Sequence, residues 1–379
     1  MAPEIALRSL TRLPSGSVVL DPMAGSGTVL RAASDLGHQA IGADLDPLAV
    51  LMARVWTQSL SPRRLRAASE QLLERASDRT DIPRLDWIDD DPETLAFVDF
   101  WFGARQRDDL RRIVSSLPTD GSTTGRALRL LISKLIITKE AGASLARDVS
   151  HSRPHRTKSA NSFDVFSGFQ RACERLASIL EAEPPSSGVR VRLGDARRLR
   201  FVTTGSVDHV VSSPPYLNGI DYLRGHRLAL VWLGFPLWRL REIRRESVGS
   251  ERKLPRDGLK SRPAVQVCSE WMSKPLDPRW TSIVRRYLWD LQDTTAEIAR
   301  VARPGAEVTL VVGNPTLRSS FIDTAAMTTA ACTRVGLTLR DRYERDLPAR
   351  HRYLPPPASA STSLDQRLKT EVVLNFVRT

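Results

Sequence analysis

The chain has 379 residues, of which 41% are hydrophobic and 26% charged, and its formal net charge is +13. This length suits two domains or one α/β domain with large insertions, and the apolar content is sufficient for a hydrophobic core. The positive charge favours a polyanionic partner, with nucleic acid first and an anionic membrane surface second. A generally arginine-rich composition would give the same excess.

The cysteines and the apolar segments exclude several classes of protein. Cys173, Cys268 and Cys332 lie far apart without a C-x-x-C pair, so neither a disulfide framework nor a zinc site is indicated. The first residues lack the basic-then-apolar pattern of a signal peptide. The longest apolar run, 228–238, is broken by Pro236 and is too short to span a bilayer. We therefore expect a soluble cytoplasmic protein without a membrane anchor or a metal.

The first part of the chain predicts a nucleotide-binding α/β unit. An apolar strand at 18–20 is followed by the glycine-rich turn 21–28 (DPMAGSGT) and a helix over 28–36. A second strand at 39–43 ends in the acidic segment 44–47 (DLDP). This succession of strand, glycine turn, helix, strand and acid is typical of the start of such a unit.

The residues of the glycine turn indicate which nucleotide it binds. Asp21 at the mouth of the turn would repel a diphosphate but attract the ammonium of a methionine moiety, and the third glycine of the dinucleotide fingerprint is missing. Gly25 and Gly27 would let the backbone approach the ligand, and Asp44 would accept hydrogen bonds from ribose hydroxyls. S-adenosylmethionine therefore fits better than NAD. The alternative is a tight turn made for packing only.

Residues 61–163 show helical periodicity without convincing strands, which predicts a helical insertion. Helices are expected over 63–79, 104–115 and 125–138, and the basic segment 147–160 (RDVSHSRPHRTKSA) follows them. This segment could contact phosphates, and a solvated loop explains it equally well. Its two histidines have no glutamate or cysteine partners nearby, and Pro154 argues against a helix, so they are not interpreted as metal ligands.

The sheet is expected to resume after the insertion. A helix over 165–182 leads to a strand at 189–193 that ends at Asp195, a third acid at the end of a strand. This carboxylate is suited to accept from the adenine amine of a cofactor. The short apolar strand 207–211 then leads to Ser213-Pro214-Pro215-Tyr216.

This Ser-Pro-Pro-Tyr segment predicts a stiff loop at the carboxyl end of a strand. Prolines lack an N–H donor and have a fixed φ, so they cannot continue a central strand. Ligands bind at this edge of open α/β sheets. Fixed carbonyls and the Ser213 hydroxyl could accept the hydrogens of an exocyclic amine, and the Tyr216 ring could stack on the base that carries it. The alternative is a proline-rich turn without such a role.

The rest of the chain predicts further α/β elements around a second charged insertion. A helix is expected over 217–232, with Arg224 near its start, within reach of the same pocket. Residues 239–262 are strongly charged and carry no clear secondary-structure signal. The remaining predicted elements are a helix over 281–302, a strand at 308–312, a helix over 319–335 and strands at 337–343 and 371–377.

With both turns placed, the chain resembles the S-adenosylmethionine-dependent amino-methyltransferases that act on DNA bases. The resemblance lies in DPMAGSGT at 21–28, GADLDP at 42–47, GDA at 194–196 and SPPY at 213–216, and in the order of elements from 304 onward. It implies an α/β, Rossmann-like class I methyltransferase sheet, mostly parallel with the last strand antiparallel, and with a helical insertion. The implied segments are the first cofactor-binding half (1–60), the helical insertion (61–163), the catalytic half (164–238), a basic insertion (239–280) and the rest of the sheet (281–379).

The resemblance also assigns roles to individual residues. The cofactor-binding set would be Asp21, Pro22, Ala24, Gly25, Gly27, Thr28, Asp44, Asp46 and Asp195. The catalytic set would be Ser213, Pro214, Pro215 and Tyr216. The side chains expected to contact nucleic acid are Arg153, Arg156, Lys158 and Arg224.

The implied activity is site-specific DNA methylation at an exocyclic base amine. Serine before Pro-Pro favours cytosine N4, and adenine N6 is the second choice. The base would be flipped out of double-stranded DNA. No cysteine follows the loop as a nucleophile, so methylation of carbon 5 is disfavoured. An RNA base methyltransferase and a catalytically inactive nucleic-acid-binding subunit are the alternatives.

The position of the larger insertion departs from the usual arrangement of the family, because it falls between the strands that end at Asp44 and Asp195. Target recognition could therefore lie in 61–163, in 239–280 or in a partner. A cognate restriction or defence-system subunit is one such partner. The sequence does not specify the recognition site or the oligomeric state.

Overall fold

The structure is a computed structural model that describes residues 3–138, 141–147, 154–217, 222–250, 268–347 and 370–379. The chain divides into two compact units. The first, here called the sheet unit, comprises Met1–Leu45, Gly188–Ile220 and Arg245–Thr379. The second, here called the helical unit, comprises Asp46–Ser187 and Asp221–Arg244.

The elements of both units are numbered in chain order. Strands β1 to β11 lie at Val18–Asp21, Gln39–Asp44, Ala146–Arg147, His155–Arg156, Val189–Leu193, Val207–Ser212, Ala302–Val312, Thr316–Leu317, Ser320–Phe321, Leu337–Asp346 and Thr370–Arg378. Helices α1 to α13 lie at Pro3–Leu10, Thr28–Asp35, Pro47–Thr57, Pro62–Ser77, Asp86–Asp89, Pro92–Trp101, Ala104–Ser115, Thr123–Ile136, Val165–Ala182, Tyr222–Leu230, Leu237–Glu246, Pro278–Val301 and Thr324–Thr333. Two short 3₁₀ helices lie at Val231–Leu233 and Cys268–Trp271.

The sheet unit is built on a seven-stranded sheet with the order β10-β11-β7-β6-β1-β2-β5. Strands β7, β6, β1, β2 and β5 are parallel, and β11 is antiparallel to both of its neighbours. The expected α/β fold, mostly parallel with the last strand antiparallel, is thereby confirmed. The chain order reverses between β1 and β6, so their carboxyl ends lie at the topological switch point, where open α/β sheets bind ligands.

The core of the sheet unit explains why these segments form strands. Val210, Leu310 and Leu374, on three neighbouring strands, belong to one buried cluster of mostly aliphatic side chains. Runs of β-branched and aliphatic residues are typical of strands that are covered on both faces. The sheet edge on which the strands end is therefore held by a rigid core.

The helical unit contains α3 to α11 with the short ladder β3–β4. Within it, the indole N–H of Trp87 donates to the carbonyl of Val231 at 2.8 Å, and the rings of Phe102 and Trp232 meet edge to face. Residues that follow the Ser-Pro-Pro-Tyr loop in sequence therefore pack with the 61–163 segment in one unit. Among the helices of the described residues, none has the length and apolar character needed to cross a bilayer.

Several predicted elements need correction. The described part of the helix expected over 217–232 begins only at Tyr222, and Leu237–Glu246 is helical although no signal predicted it. The helix expected from 319 begins at Thr324, because the β8–β9 hairpin occupies the preceding residues and Asp323 caps the helix. The 61–163 segment also contains the two-residue strands β3 and β4, although it was expected to hold no strands.

Within the 61–163 segment, helices α5 and α6 also have no counterpart among the predicted elements. For α6, the sequence contains a start signal: Asp91 caps the helix by accepting from the Glu93 amide, and Pro92 occupies its first turn. An N-cap acid followed by proline is a common helix start.

Candidate cofactor and catalytic site

The glycine-rich turn connects β1 to α2 through backbone conformations that favour glycine. Gly25 and Gly27 have φ values of +51° and +91°, in the left-handed region that side chains disfavour. The amide of Gly25 donates to Oδ2 of Asp44 at 2.8 Å. The space that a Cβ of residue 25 would occupy is open. The turn thus presents bare backbone beside a carboxylate, with room for a ligand.

Asp21 ends β1 and is almost completely buried, with 3% of its surface exposed. One carboxylate oxygen, Oδ1, accepts from the Ser212 hydroxyl at 2.7 Å and from the Met23 amide at 3.1 Å. Burial raises the pKa of Asp21 to about 6, although both hydrogen bonds act in the opposite direction. The charge of this carboxylate is therefore sensitive to pH near neutrality.

Asp195 lies two residues beyond β5 and is held by Arg197. The guanidinium of Arg197 donates to both oxygens of Asp195, with Nε–Oδ1 at 2.9 Å and Nη2–Oδ2 at 2.7 Å. Its Nη1 contacts the fully buried carboxylate of Asp290 at 2.6 Å. Arg197 thus lies between two acids and links Asp195 to the buried Asp290. The contact of Asp195 with the adenine of a cofactor stays a prediction.

The Ser-Pro-Pro-Tyr loop leaves β6 directly after Ser212. The Ser213 hydroxyl donates to the carbonyl of Val311 on β7 at 3.2 Å. Pro214 is buried and Pro215 is exposed. Because the Ser213 hydrogen is directed at β7, the lone pairs of its oxygen remain able to accept hydrogen bonds.

Tyr216, at the end of the loop, is anchored through its hydroxyl. This group donates to Oε1 of Glu371 on β11 at 2.6 Å, and Oε2 of Glu371 accepts from Nε of Arg345 on β10 at 3.0 Å. Glu371 is buried, with 8% of its surface exposed. The antiparallel pair β10–β11 therefore holds the tyrosine hydroxyl in place.

The structure brings the predicted cofactor and catalytic residues of the sheet unit to one edge. The Gly25 amide of the turn donates to Asp44, and the Ser212 hydroxyl, at the base of the Ser-Pro-Pro-Tyr loop, donates to Asp21. Pro22, Ala24 and Thr28 lie within the same turn or at the first residue of α2. At this edge, the carboxylates of Asp21 and Asp44 could accept from a cation and from hydroxyl groups. The Ser-Pro-Pro-Tyr loop beside them is suited to hold an amine.

Other predicted residues lie in the helical unit. Asp46 caps α3 by accepting from the Leu48 amide at 2.8 Å, and its second oxygen lies 2.5 Å from Nδ1 of His226. The guanidinium of Arg156 lies 4.9 Å from the ring centre of Phe100. Lys158 is exposed, Arg224 lines a cleft, and Arg153 lies outside the described residues. The predicted ligand contacts of all five remain predictions.

Three residues of the site were not predicted from sequence: Ser212, Arg197 and Glu371. A hydroxyl at the end of a strand beside the Pro-Pro loop is a weak signal for Ser212. A single acid in the apolar strand TEVVLNFV is a better signal for Glu371, because a buried carboxylate needs partners. In the described part of the chain, no three His, Cys, Asp or Glu side chains are grouped as a metal ion would require.

Comparison with known proteins gives the following similarities. No protein-family model matches the chain. The chain is 23% identical over 378 residues to the Type II methyltransferase M.BsoBI of Geobacillus stearothermophilus, covering 86% of this chain and 74% of the relative.

Two solved structures illustrate the structural similarities. A geranyl diphosphate C-methyltransferase of Streptomyces coelicolor A3(2) matches over 100% of this chain and 79% of its own, with 9% identity and a TM-score of 0.37. A structure provisionally assigned as a DNA modification methylase of Thermus thermophilus matches over 30% of this chain and 50% of its own, with 20% identity and a TM-score of 0.20. Independently of these values, the strand order and the single antiparallel strand are those of class I S-adenosylmethionine-dependent methyltransferases.

Proposed function

We propose that the protein transfers a methyl group from S-adenosylmethionine to an exocyclic amine of a DNA base, with cytosine N4 as the first choice. The observation that carries this proposal is the hydrogen bond between Asp21 and Ser212. It joins the glycine turn, suited to the methyl donor, to the base of the Ser-Pro-Pro-Tyr loop, suited to the acceptor. Both lie at the switch point of the sheet, where this fold binds ligands.

The residues of the turn fit S-adenosylmethionine. Asp21 offers a buried carboxylate for the ammonium of the methionine moiety, and the open space beside Gly25 allows close approach. Asp44 would accept from the ribose hydroxyls while its Oδ2 remains bonded to the turn. The cofactor would supply an electrophilic methyl group on its sulfonium.

The loop residues fit a planar base that carries an amine. Such an amine is conjugated and poorly nucleophilic, so its hydrogens must be accepted while its lone pair is turned towards the methyl group. Ser213 can accept because its own hydrogen is given to Val311. Tyr216 can stack on the base, and its anchored hydroxyl limits the rotation of the ring. Positioning and hydrogen bonding would supply most of the rate acceleration.

The nature of the substrate rests on the resemblance and on the relative. M.BsoBI is a Type II methyltransferase, which supports a DNA substrate and a place in a restriction-modification system. The serine at position 213 favours cytosine N4 over adenine N6. A cognate restriction or defence-system subunit would be the corresponding partner.

The test is methyl transfer from labelled S-adenosylmethionine to unmethylated genomic DNA and, separately, to total RNA. Each product is digested to nucleosides and identified by mass. We expect N4-methylcytosine in DNA. Detection of N6-methyladenine in DNA would make adenine the target base instead of cytosine. Label in RNA alone would overturn the DNA assignment.

A pair of variants tests the loop. Tyr216→Ala should lower the transfer rate about fivefold to 150-fold, because it removes a stack worth about 1–3 kcal/mol. Tyr216→Phe keeps the ring and loses the contact with Glu371, so its loss should be smaller. Cofactor affinity should be unchanged in both. Full activity in Tyr216→Ala would show that the loop is not the catalytic one.

A further inference from the structure

The helical unit contains a cleft of about 450 Å³ that the cofactor and catalytic residues do not account for. Helix α6, strand β4 and helices α10 and α11 contribute its walls. Its charged and titratable lining residues are Arg224, Arg227, Arg241, Arg244, Glu93 and His155. We call it the arginine cleft.

The arginines of the cleft form two rows. Arg224 and Arg227 are three residues apart on α10, and Arg241 and Arg244 are three apart on α11, so each pair shares one face of its helix. Glu93 is the only acid among the lining residues, and it bonds Nη2 of Arg241 at 2.7 Å. The lining therefore has a clear excess of positive charge, distributed along two helices and not concentrated at one point.

The rest of the lining favours an extended anion over a small one. Leu237 and Leu240 add apolar surface between the cationic rows. The guanidinium of Arg227 lies 5.2 Å from the ring centre of Phe97, a contact that orients its plane. The cleft has a volume of about 450 Å³ and is lined by four guanidinium groups, which is more than are needed to bind a single phosphate. Guanidinium groups suit bidentate contacts with phosphodiesters.

We propose that the arginine cleft binds the sugar-phosphate backbone of the DNA substrate. The helical unit would then provide the DNA-binding surface, and the recognition region would be sought in 61–163 with α10 and α11. A concave cleft with two cationic walls suits a nucleic-acid strand better than a flat membrane surface. The choice of DNA over RNA rests on the proposed function; the polyanion-binding role of the cleft rests on the lining itself.

The first test measures binding of duplex DNA by fluorescence anisotropy over a range of salt concentrations. The test variant is Arg224→Gln/Arg244→Gln, with one change in each row. Each lost phosphate contact should lower affinity about eightfold at 0.1 M salt and reduce the slope of log K against log salt by about 0.9. The double variant should therefore bind roughly sixtyfold more weakly, with a slope smaller by about 1.8.

A matched control comes from the same unit. Arg171→Gln/Arg175→Gln removes the same charge from two exposed arginines on α9, outside the cleft. It should keep most of the wild-type affinity. Equal losses in the two double variants would reduce the effect to net charge and overturn the proposal.

A gain-of-affinity variant guards against misfolding as an explanation. Glu93→Gln removes the only acid of the lining, and should strengthen DNA binding several-fold at low salt with less effect at high salt. A damaged protein would not bind more tightly. Unchanged or weaker binding by a Glu93→Gln protein with wild-type melting temperature would count against the cleft.

Failure of the cleft and failure of the proposed reaction give different results. If the wild type methylates DNA and Arg224→Gln/Arg244→Gln binds DNA normally, the cleft proposal is wrong and the reaction stands. If the wild type binds but does not methylate DNA, and the double variant loses that binding, the cleft stands and the reaction falls. If the double variant loses binding of single-stranded RNA only, the DNA assignment of the cleft is overturned.

Discussion

The buried carboxylate of Asp21 should make cofactor affinity depend on pH in a defined window. Burial raises the pKa of Asp21 from its ordinary value of 3.8 to about 6. The α-amino group of the cofactor stays protonated below its usual pKa near 8, so of these two partners only Asp21 changes charge between pH 5 and pH 7. If only ionised Asp21 binds the ammonium, affinity should be about tenfold weaker at pH 5 than at pH 7.

Ser212 provides the sharper perturbation. Its hydroxyl donates to the Asp21 carboxylate, which favours the ionised form. In Ser212→Ala this bond, worth about 1.5 kcal/mol, is lost, and the pKa of Asp21 should rise by roughly one further unit. The midpoint of the plot of affinity against pH should therefore move to higher pH by about one unit.

The assay is calorimetric titration with S-adenosylhomocysteine, which keeps the amino-acid end of the cofactor, at half-unit steps from pH 5 to pH 8. Ser213→Ala is the matched control, since the neighbouring hydroxyl bonds Val311 and not Asp21; its midpoint should stay in place. Asp21→Asn should bind weakly with little pH dependence over this window. A flat wild-type profile, or an unmoved midpoint in Ser212→Ala, would refute the reasoning.

The same pKa predicts an opposite trend in stability without ligand. Because the folded pKa of Asp21 is raised, the folded state retains the proton more strongly than the unfolded chain does. Its contribution to the free energy of unfolding is present in acid and should decrease as pH rises from about 4 to about 6, by about 3 kcal/mol. Cofactor-induced stabilisation should increase over the upper part of that window, and melting curves with and without ligand would show both trends.

Three further predictions concern single contacts. Glu371→Gln should lower the turnover of methyl transfer several-fold and leave cofactor affinity unchanged, because it weakens the anchor of Tyr216; equal turnover would show that the anchor is dispensable. Asp44→Ala should weaken S-adenosylhomocysteine binding by about 1.5–3 kcal/mol in calorimetry, through the lost Gly25 contact and the expected ribose contact, and wild-type affinity would contradict that role. Arg111→Met should lower the free energy of unfolding by about 3 kcal/mol at pH 7 in denaturant titration, because the Asp89 carboxylate is left without its guanidinium partner and keeps the hydrogen bond from the Leu85 amide. Because the Arg111 hydrogen bond lowers the pKa of Asp89, that loss should shrink as pH falls below the ordinary value of 3.8, and a constant loss would contradict it.

The sequence predicted the parts of the site that follow from local pattern. Asp21, Gly25 and Asp44 each lie where an apolar strand ends or a turn begins, and the carboxyl ends of parallel strands meet at one edge. Their convergence therefore needs only the strand order. The expected fold class is confirmed, and the order of its strands brings these carboxyl ends together.

The contacts that hold the site depend on tertiary register, which local pattern does not encode. Ser212 reaches Asp21 because β6 pairs with β1, and Glu371 reaches Tyr216 across 155 positions of sequence because β11 pairs with β7.

The β8–β9 hairpin was missed for a different reason. Its turn is formed by Arg318 and Ser319 at φ +47° and +66°, where hairpin turns normally carry glycine or asparagine.

The antiparallel strand β11 acts on the proposed chemistry as well as on the sheet. A sheet that ended at β7 would leave the tyrosine of the catalytic loop without its anchor. With β11 in place, Glu371 accepts from Tyr216 and is itself held by Arg345 of β10, so the orientation of the ring is tied to the most extensively paired part of the sheet. Stacking on a base accelerates transfer only if the ring is already in position when the base arrives. We therefore infer that, under the proposed function, the antiparallel pair β10–β11 would lower the conformational cost of holding the base.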